Sequence, residues 1–453
     1  MVLTARCERA TPADSPPSGV LQELDAALHE EGVLHLPTVE AAARRRLRVC
    51  AAVLAAWTAD GADEGGQAER WFDGAVDALQ AYAAGDGAPC DTPAPRVRRF
   101  AHTPSADDFV HQCLANEPCI FPVDATEPLW RLCAGWVDGD APNLERLAAS
   151  CPAETVVVAT ACNTAGRERT RVPLHEYARW WRDHVTDAAP RALAPEDVLY
   201  LKDLCASSLD GFMVPRLFAD DWLGGCHDAQ QRGDAAPDLR FIYCGPGGAC
   251  TPLHTDIWDT HSWSVNVCGV KRWRFVAPWD AHLLRDRWGA RMAPSLACYA
   301  PLFPHVRHAR VVELEQRAGE AMFVPSGWAH EVRNETDCLS VNANWANASN
   351  VLRLVAHARH EAPAAERGVT SPGDSPRLTP LLFAYLRFAV ERELRAGATR
   401  DTPLATRWSA LTLARAAAVL RAWPELAPGD ACGDLARRAE AALAVLLRAS
   451  DAA

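Results

Sequence analysis

Seven short apolar runs crowd the middle of this chain. They are TVVVATAC (155–162), VLYL (198–201), RFIYC (240–244), SWSVNVC (262–268), KRWRFVAP (271–278), AMFVP (321–325) and CLSVNANW (338–345). Each is rich in β-branched or aromatic residues, and Pro and Gly are frequent around them, which is how strands read. Only one helix, VPLHEYARWWRDHV (172–185), stands out among them. A doubly wound parallel sheet needs a helix between most successive strands. The runs are too evenly spaced and too poor in intervening helices for that, so residues 105–350 are expected to form a mainly β, barrel-like domain.

The flanks read differently. Residues 1–100 are expected to be a helical extension, with helices near 20–31, 39–59 and 67–84 and the linker GDGAPCDTPAP at 85–95. After Asn350 the chain is rich in Ala, Leu and Arg, and 351–453 reads as a helical region. There Thr379–Pro380 and Thr402–Pro403 are expected as cap and first-turn pairs, with Asp434 capping a last helix. The fold class is therefore α+β with a mainly β core.

Composition matters here for what it excludes. The net charge of −12 argues against direct nucleic-acid binding and leaves room for a basic peptide partner. Sixteen cysteines at irregular spacings, with no CxxC pair, read as reduced thiols in the cytoplasm or nucleus rather than as disulfides or a zinc ribbon. No apolar run approaches the ~20 residues that span a membrane, and the first residues show no signal-peptide core.

The chemistry concentrates in TPLHTDIWDTHSWSVNVCGVKRW (251–273). On a strand, His254 and Asp256 alternate onto one face and could share a metal ion. The similar pair His29–Glu31 falls in an expected helix, where residues two apart diverge. Downstream, GEAMFVPSGWAHEVRNETD (319–337) places His330 after a strand and a tight turn. A jelly-roll barrel can bring such distant strands together. His254, Asp256 and His330 would then offer two imidazoles and one carboxylate, the facial set of a non-haem Fe(II) oxygenase. Zinc accepts the same donors.

Lys271 separates the two metals. Inside a barrel its ammonium is costly unless paired, and a dicarboxylate cosubstrate would be the partner; a zinc hydrolase has no such need. Thr251 and Asn342 could add hydrogen bonds to the same carboxylate. The bland readings are a surface His–Asp pair, a turn histidine at 330 and a lysine on a wet strand face. Trp258, Trp263, Trp273, Trp328 and Trp345 read mostly as core packing.

His254-Thr-Asp256, GVKRW (269–273) and MFVPSGWAH (322–330) together resemble the JmjC-domain 2-oxoglutarate oxygenases. LYLKD (199–203), YCGPGG (243–248), SWSVNVCG (262–269), VPSGWAHEVRN (324–334) and VNANWAN (341–347) are similar to the Jumonji domain-containing protein 4 branch of that family. The resemblance covers about 105–355 and implies a double-stranded β-helix that uses Fe(II), 2-oxoglutarate and O₂. By position, His254, Asp256 and His330 match the iron ligands and Lys271 the residue that pairs with the distal carboxylate of 2-oxoglutarate. Thr251, Ser264, Asn342 and Tyr200 match further cosubstrate-facing positions. The branch is linked to hydroxylation of a lysine side chain in the eukaryotic translation release factor, which the resemblance implies as the protein partner. The chain departs from the branch at KDLCASS (202–208). Rival readings are an N-methyl-lysine (histone) demethylase of the same fold and a non-catalytic binding protein.

Overall fold

The computed structural model describes residues 97–122, 128–151, 155–160, 169–186, 198–206, 212–229, 236–285, 292–297, 303, 305–366, 377–397 and 403–451. The helices expected at 20–31, 39–59 and 67–84 lie outside these residues. The chain divides into two compact units, of which one comprises Thr92–Pro278, Pro294–Cys298 and Arg310–Ala453. All that follows belongs to that unit.

Fifteen strands are named here in chain order: β1 (Arg98–Arg99), β2 (Cys119–Pro122), β3 (Val137–Asp138), β4 (Ala141–Pro142), β5 (Thr155–Thr160), β6 (Arg169–Pro173), β7 (Leu199–Cys205) and β8 (Arg240–Gly245). They continue with β9 (Cys250–His254), β10 (His261–Cys268), β11 (Lys271–Val276), β12 (Val311–Gln316), β13 (Glu320–Val324), β14 (Ala329–Asn334) and β15 (Cys338–Trp345). Nine make one sheet in the order β1-β2-β13-β10-β15-β8-β7-β5-β6, and four make a second, β12-β11-β14-β9. Apart from the short β1–β2 pair every ladder is antiparallel. The architecture is a jelly roll, in keeping with the barrel-like domain that the strand spacing predicts and the double-stranded β-helix that the resemblance implies.

All seven expected strands are present. The strand expected around His254 is β9, which ends at that residue. Those not expected include β12 and β14. β12 (VVELEQ) is charged and largely solvent-facing, so its apolar content is low. β14 (AHEVRN) mixes His, Glu, Arg and Asn into its run. The expected helix at 172–185 runs as α-helix only over Leu174–Trp181 and then widens into a π turn, Arg182–Thr186.

Strand alternation sorts the larger sheet into two faces. Trp263, Val265 and Val267 of β10, Leu339, Val341, Ala343 and Trp345 of β15, and Ile242 and Cys244 of β8 join one apolar core with the helix residues Leu174, Tyr177 and Trp181. Removing such surface from water is the main force holding the layers together. Tyr177 Oη donates to Cys244 O at 2.9 Å and so ties that helix to β8. The intervening residues, Ser262 and Ser264, Ser340, Asn342 and Asn344, and Phe241 and Tyr243, point the other way. Their period of two puts a polar stripe on the inner face of the roll.

The C-terminal region consists of helices Val351–Glu366, Thr379–Ala396, Pro403–Ala422 and Ala431–Asp451, packed through a second apolar cluster that includes Leu354, Leu382, Leu386, Leu413 and Leu435. Two expected caps are corrected. Thr379 is the first helical residue, not the cap, because its hydroxyl donates to Ala358 O at 3.3 Å in the preceding helix. The last helix begins at Ala431, and Asp434 sits in its first turn, with its N–H donating to Asp430 O at 2.8 Å. Pro403 opens its helix, where a missing N–H costs nothing. The described cysteines are free thiols, and no helix among the described residues is long and apolar enough to cross a membrane.

Candidate metal and cosubstrate site

His254 and His330 face each other directly across the β9–β14 ladder. Cross-strand neighbours in an antiparallel pair stand about 5 Å apart at Cβ, so a register match alone brings the two imidazoles together. Their ring centroids are 4.3 Å apart. Asp256 arrives by a different route from the one expected. β9 ends at His254, so the two residues do not alternate along a strand. Asp256 instead heads the tight turn Ile257–Asp259. One ligand atom each from His254, Asp256 and His330 nonetheless lies within 4.8 Å of the others.

Each histidine is oriented by a backbone carbonyl two residues earlier. His254 Nδ1 lies 2.8 Å from Pro252 O, and His330 Nδ1 lies 3.0 Å from Trp328 O. A carbonyl can only accept, so both Nδ1 atoms carry the proton and both Nε2 lone pairs are free for an ion, the arrangement of metal-ligating histidines. Burial, with the His330 ring beside it, pushes His254 down to about 4, so the imidazole is neutral at physiological pH as a ligand must be. Ser262 Oγ donates to Asp256 Oδ2 at 2.7 Å, and among the described residues no hydrogen bond is made to the other oxygen. The Trp273 and Phe275 rings pack against His330 at 5.6 and 5.7 Å.

The turn PSGW (325–328) that delivers His330 is itself held. Asn116, left-handed at the end of helix Ala106–Ala115, donates through Nδ2 to Ser326 O, and Trp328 Nε1 donates back to Asn116 O. Gly327 has φ +78°, and a Cβ there would stand 2.7 Å from Arg353 Nη1.

Lys271 opens β11, on the same strand face as Trp273 and Phe275, while Arg272 and Arg274 point outward. It is 2 % exposed. Its Nζ donates to Ser340 Oγ at 2.6 Å, and among the described residues no carboxylate pairs with it. Burial pulls its pKa below the ordinary lysine value. Beside it Ser264 Oγ is buried with no hydrogen-bond partner among the described residues. A buried ammonium and an orphaned hydroxyl are expensive. An anion with several acceptor oxygens would answer both. The donor set fits Fe(II) with open positions, and the cation beside the orphan hydroxyl fits a carboxylate.

All eight residues singled out in the sequence, Tyr200, Thr251, His254, Asp256, Ser264, Lys271, His330 and Asn342, line one cavity. Thr251 and His254 are three apart and on a regular strand would face opposite ways. A bulge in β9, between the pairs His330–His254 and Val332–Thr251, adds the residue that turns both inward. The Tyr200 phenol shares a hydrogen bond with the Thr251 side chain, and Lys202 Nζ reaches Thr251 Oγ1 at 3.4 Å. Sequence reasoning missed Ser340, which accepts from both Lys271 and Asn342, and also Ser262, Asn344, Phe241 and Tyr243 in the wall. Their signal was present: Ser340, Asn342 and Asn344 alternate through CLSVNANW.

A family model described as a cupin-like domain matches residues 108–350. The chain is 34% identical over 304 residues to the mouse (Mus musculus) "2-oxoglutarate and iron-dependent oxygenase JMJD4", covering 62% of this chain and 69% of that protein. It is 34% identical over 282 residues to the human (Homo sapiens) protein of that name, 59% and 65% of the two chains. It is also 34% identical over 268 residues to the "Arginine-specific demethylase JMJ20" of Arabidopsis thaliana, 54% and 56% of the two chains.

Proposed function

This chain belongs to the JmjC 2-oxoglutarate- and iron-dependent oxygenases, and from that premise we propose that it hydroxylates a lysine side chain of a protein, the eukaryotic translation release factor. In this reading His254, Asp256 and His330 hold the iron, and Lys271 holds the far carboxylate of 2-oxoglutarate. The observation that carries it is the pairing of a two-histidine, one-carboxylate cluster with a buried ammonium that has no acid partner among the described residues. The lysine target rests on the sequence resemblance.

Bound Fe(II), 2-oxoglutarate and O₂ supply the oxidising chemistry. The chain's own residues bind, orient and exclude water. Carbonyls 252 and 328 keep both Nε2 lone pairs available, and Ser262 holds one oxygen of Asp256. Charge-assisted hydrogen bonds from Lys271 fix one end of the cosubstrate, while Ser264 and Asn342 lie opposite each other across β10–β15 where they can reach it. Thr251 and Tyr200, hydrogen-bonded to each other, line the same cavity.

The test is anaerobic loading with Fe(II) and 2-oxoglutarate, then O₂ and a release-factor fragment. The expected product is a lysine heavier by one oxygen, with succinate in equal amount, and neither with His254→Ala. A second reading, demethylation of an N-methylated side chain, is favoured by the likeness to an arginine-specific demethylase. Formaldehyde released from methylated peptides would select it. Equal product from wild type and His254→Ala would refute both.

A further inference from the structure

The turn that carries Asp256 holds a tryptophan in a backbone conformation that a bulky side chain disfavours. Trp258 (φ 56°, ψ 20°) and Asp259 (φ 54°) are consecutive left-handed residues. With Asn116 they are the non-glycine residues of positive φ among those described. In that region Cβ crowds the following carbonyl, and a large side chain makes matters worse. Such a conformation persists only where the surroundings over-determine it.

Two sets of contacts do so. The polar set belongs to the β core and holds the ends of the turn. Thr260 donates through N and Oγ1 to Ile257 O at 3.0 and 2.8 Å. Asn344 Nδ2 donates to Thr260 Oγ1 at 3.1 Å, and Ser262 Oγ to Asp256 Oδ2 at 2.7 Å. Asp259 N–H donates to Asp256 O at 3.2 Å and closes the turn. The apolar set acts on the Trp258 side chain itself. Trp258 is 2 % exposed and belongs to the cluster of the C-terminal helices, with Val351, Leu354 and Tyr385. Its ring lies 6.4 Å from that of Tyr385 in helix Thr379–Ala396.

We propose that Trp258 is a positioning residue for the metal centre. Sunk in the helical layer, the indole holds the Ile257–Asp259 turn left-handed and so sets where the Asp256 carboxylate lies relative to His254 and His330. Without it the turn relaxes to right-handed or extended backbone, and Asp256, which heads the turn, leaves the cluster. The C-terminal helices are thereby part of the metal site, although among the described residues none of theirs lines the cavity. This rests on His254, Asp256 and His330 being the metal ligands.

The experiment titrates the apo protein with Co(II), followed by visible absorption, beside thermal unfolding of each apo form. The variants are Trp258→Leu, Trp258→Phe, Leu386→Ala and His254→Ala. Leu386 is fully buried in the same cluster but outside the turn, so it reports general weakening of the helical layer. Trp258→Leu is expected to weaken Co(II) binding by about tenfold or more and to alter the spectrum, the scale of losing a group that orients a ligand. Trp258→Phe, which keeps an aromatic anchor, is expected to lose clearly less affinity than Trp258→Leu. Leu386→Ala lowers the unfolding temperature yet leaves affinity and spectrum unchanged. Unchanged affinity in Trp258→Leu, or a loss in Leu386→Ala matching its loss of stability, overturns the proposal. If either occurs while His254→Ala still abolishes binding, the ligand assignment stands and only the role of Trp258 falls. Wild-type affinity in His254→Ala removes both.

Discussion

Lys271 is stable where it sits only at a cost to the cosubstrate-free protein. Its hydrogen bond to Ser340 Oγ does not neutralise a buried ammonium. The sign of the effect with pH follows from the direction of its shift. A lysine whose folded pKa is lowered contributes stability above the unfolded value of 10.5, and that contribution is lost as pH falls through the folded value. At neutral pH the charged form is therefore a burden. Lys271→Met is expected to be more stable than wild type at pH 7, by about 1 kcal/mol. That gap should narrow as pH rises toward 10.5. The same variant should lose 2-oxoglutarate binding. Thermal scans across pH and a 2-oxoglutarate titration check both halves; a less stable variant that still binds would count against the assignment. Function and stability oppose each other at this residue, as is common where a site is built for a ligand.

Among elements, the connection between β10 and β11 governs most. β10 carries Ser262 and Ser264, β11 carries Lys271, and two residues join them. Gly269 in that connection has φ +77°, and a Cβ there would stand 2.1 Å from Asp337 O and 2.7 Å from Cys338 Sγ. Only glycine serves both the backbone and the space. Gly269→Ala is expected to destabilise by about 3 kcal/mol. It should also weaken 2-oxoglutarate binding, because moving β11 by one residue would turn Lys271 outward. Denaturant unfolding and cosubstrate affinity measure the two effects, and a variant with wild-type stability would exclude the constraint. The β9 bulge plays the matching part on the other side of the cavity by aiming Thr251 and His254 into the same space.

At the scale of the whole domain, the cavity lies where the two sheets face each other. Ser262, Ser264 and Asn342 come from the larger sheet, and Lys271, His254 and His330 from the smaller. Ligands held by both sheets bind the folded state alone and stabilise it by mass action. Fe(II) with 2-oxoglutarate at a hundredfold excess over Kd is expected to add about 2.7 kcal/mol. That corresponds to a rise of roughly 5–10 °C in Tm for a domain of this size, reversed by a chelator. A melting temperature indifferent to both ligands would argue against a site spanning the sheets.

The local text of the chain was enough for the strand-rich middle, the helical C-terminal region and the residue types of the cavity. Period-two apolar runs and Ala/Leu-rich stretches are short-range properties, and the run CLSVNANW already alternates its polar and apolar residues. Pairing is not short-range. That His254 meets His330 depends on which strands lie side by side, and the bulge that turns Thr251 inward exists only once β9 is paired with β14. Asp256 reads like a strand residue but is delivered by a turn, and that turn is left-handed because a tryptophan two residues on is buried among helices more than ninety residues away in the chain. Ser340 likewise became visible as a partner of Lys271 only across 69 residues of chain. Local propensity acts over a few residues, whereas the geometry of a site built from several strands and a helical layer is set by packing between them.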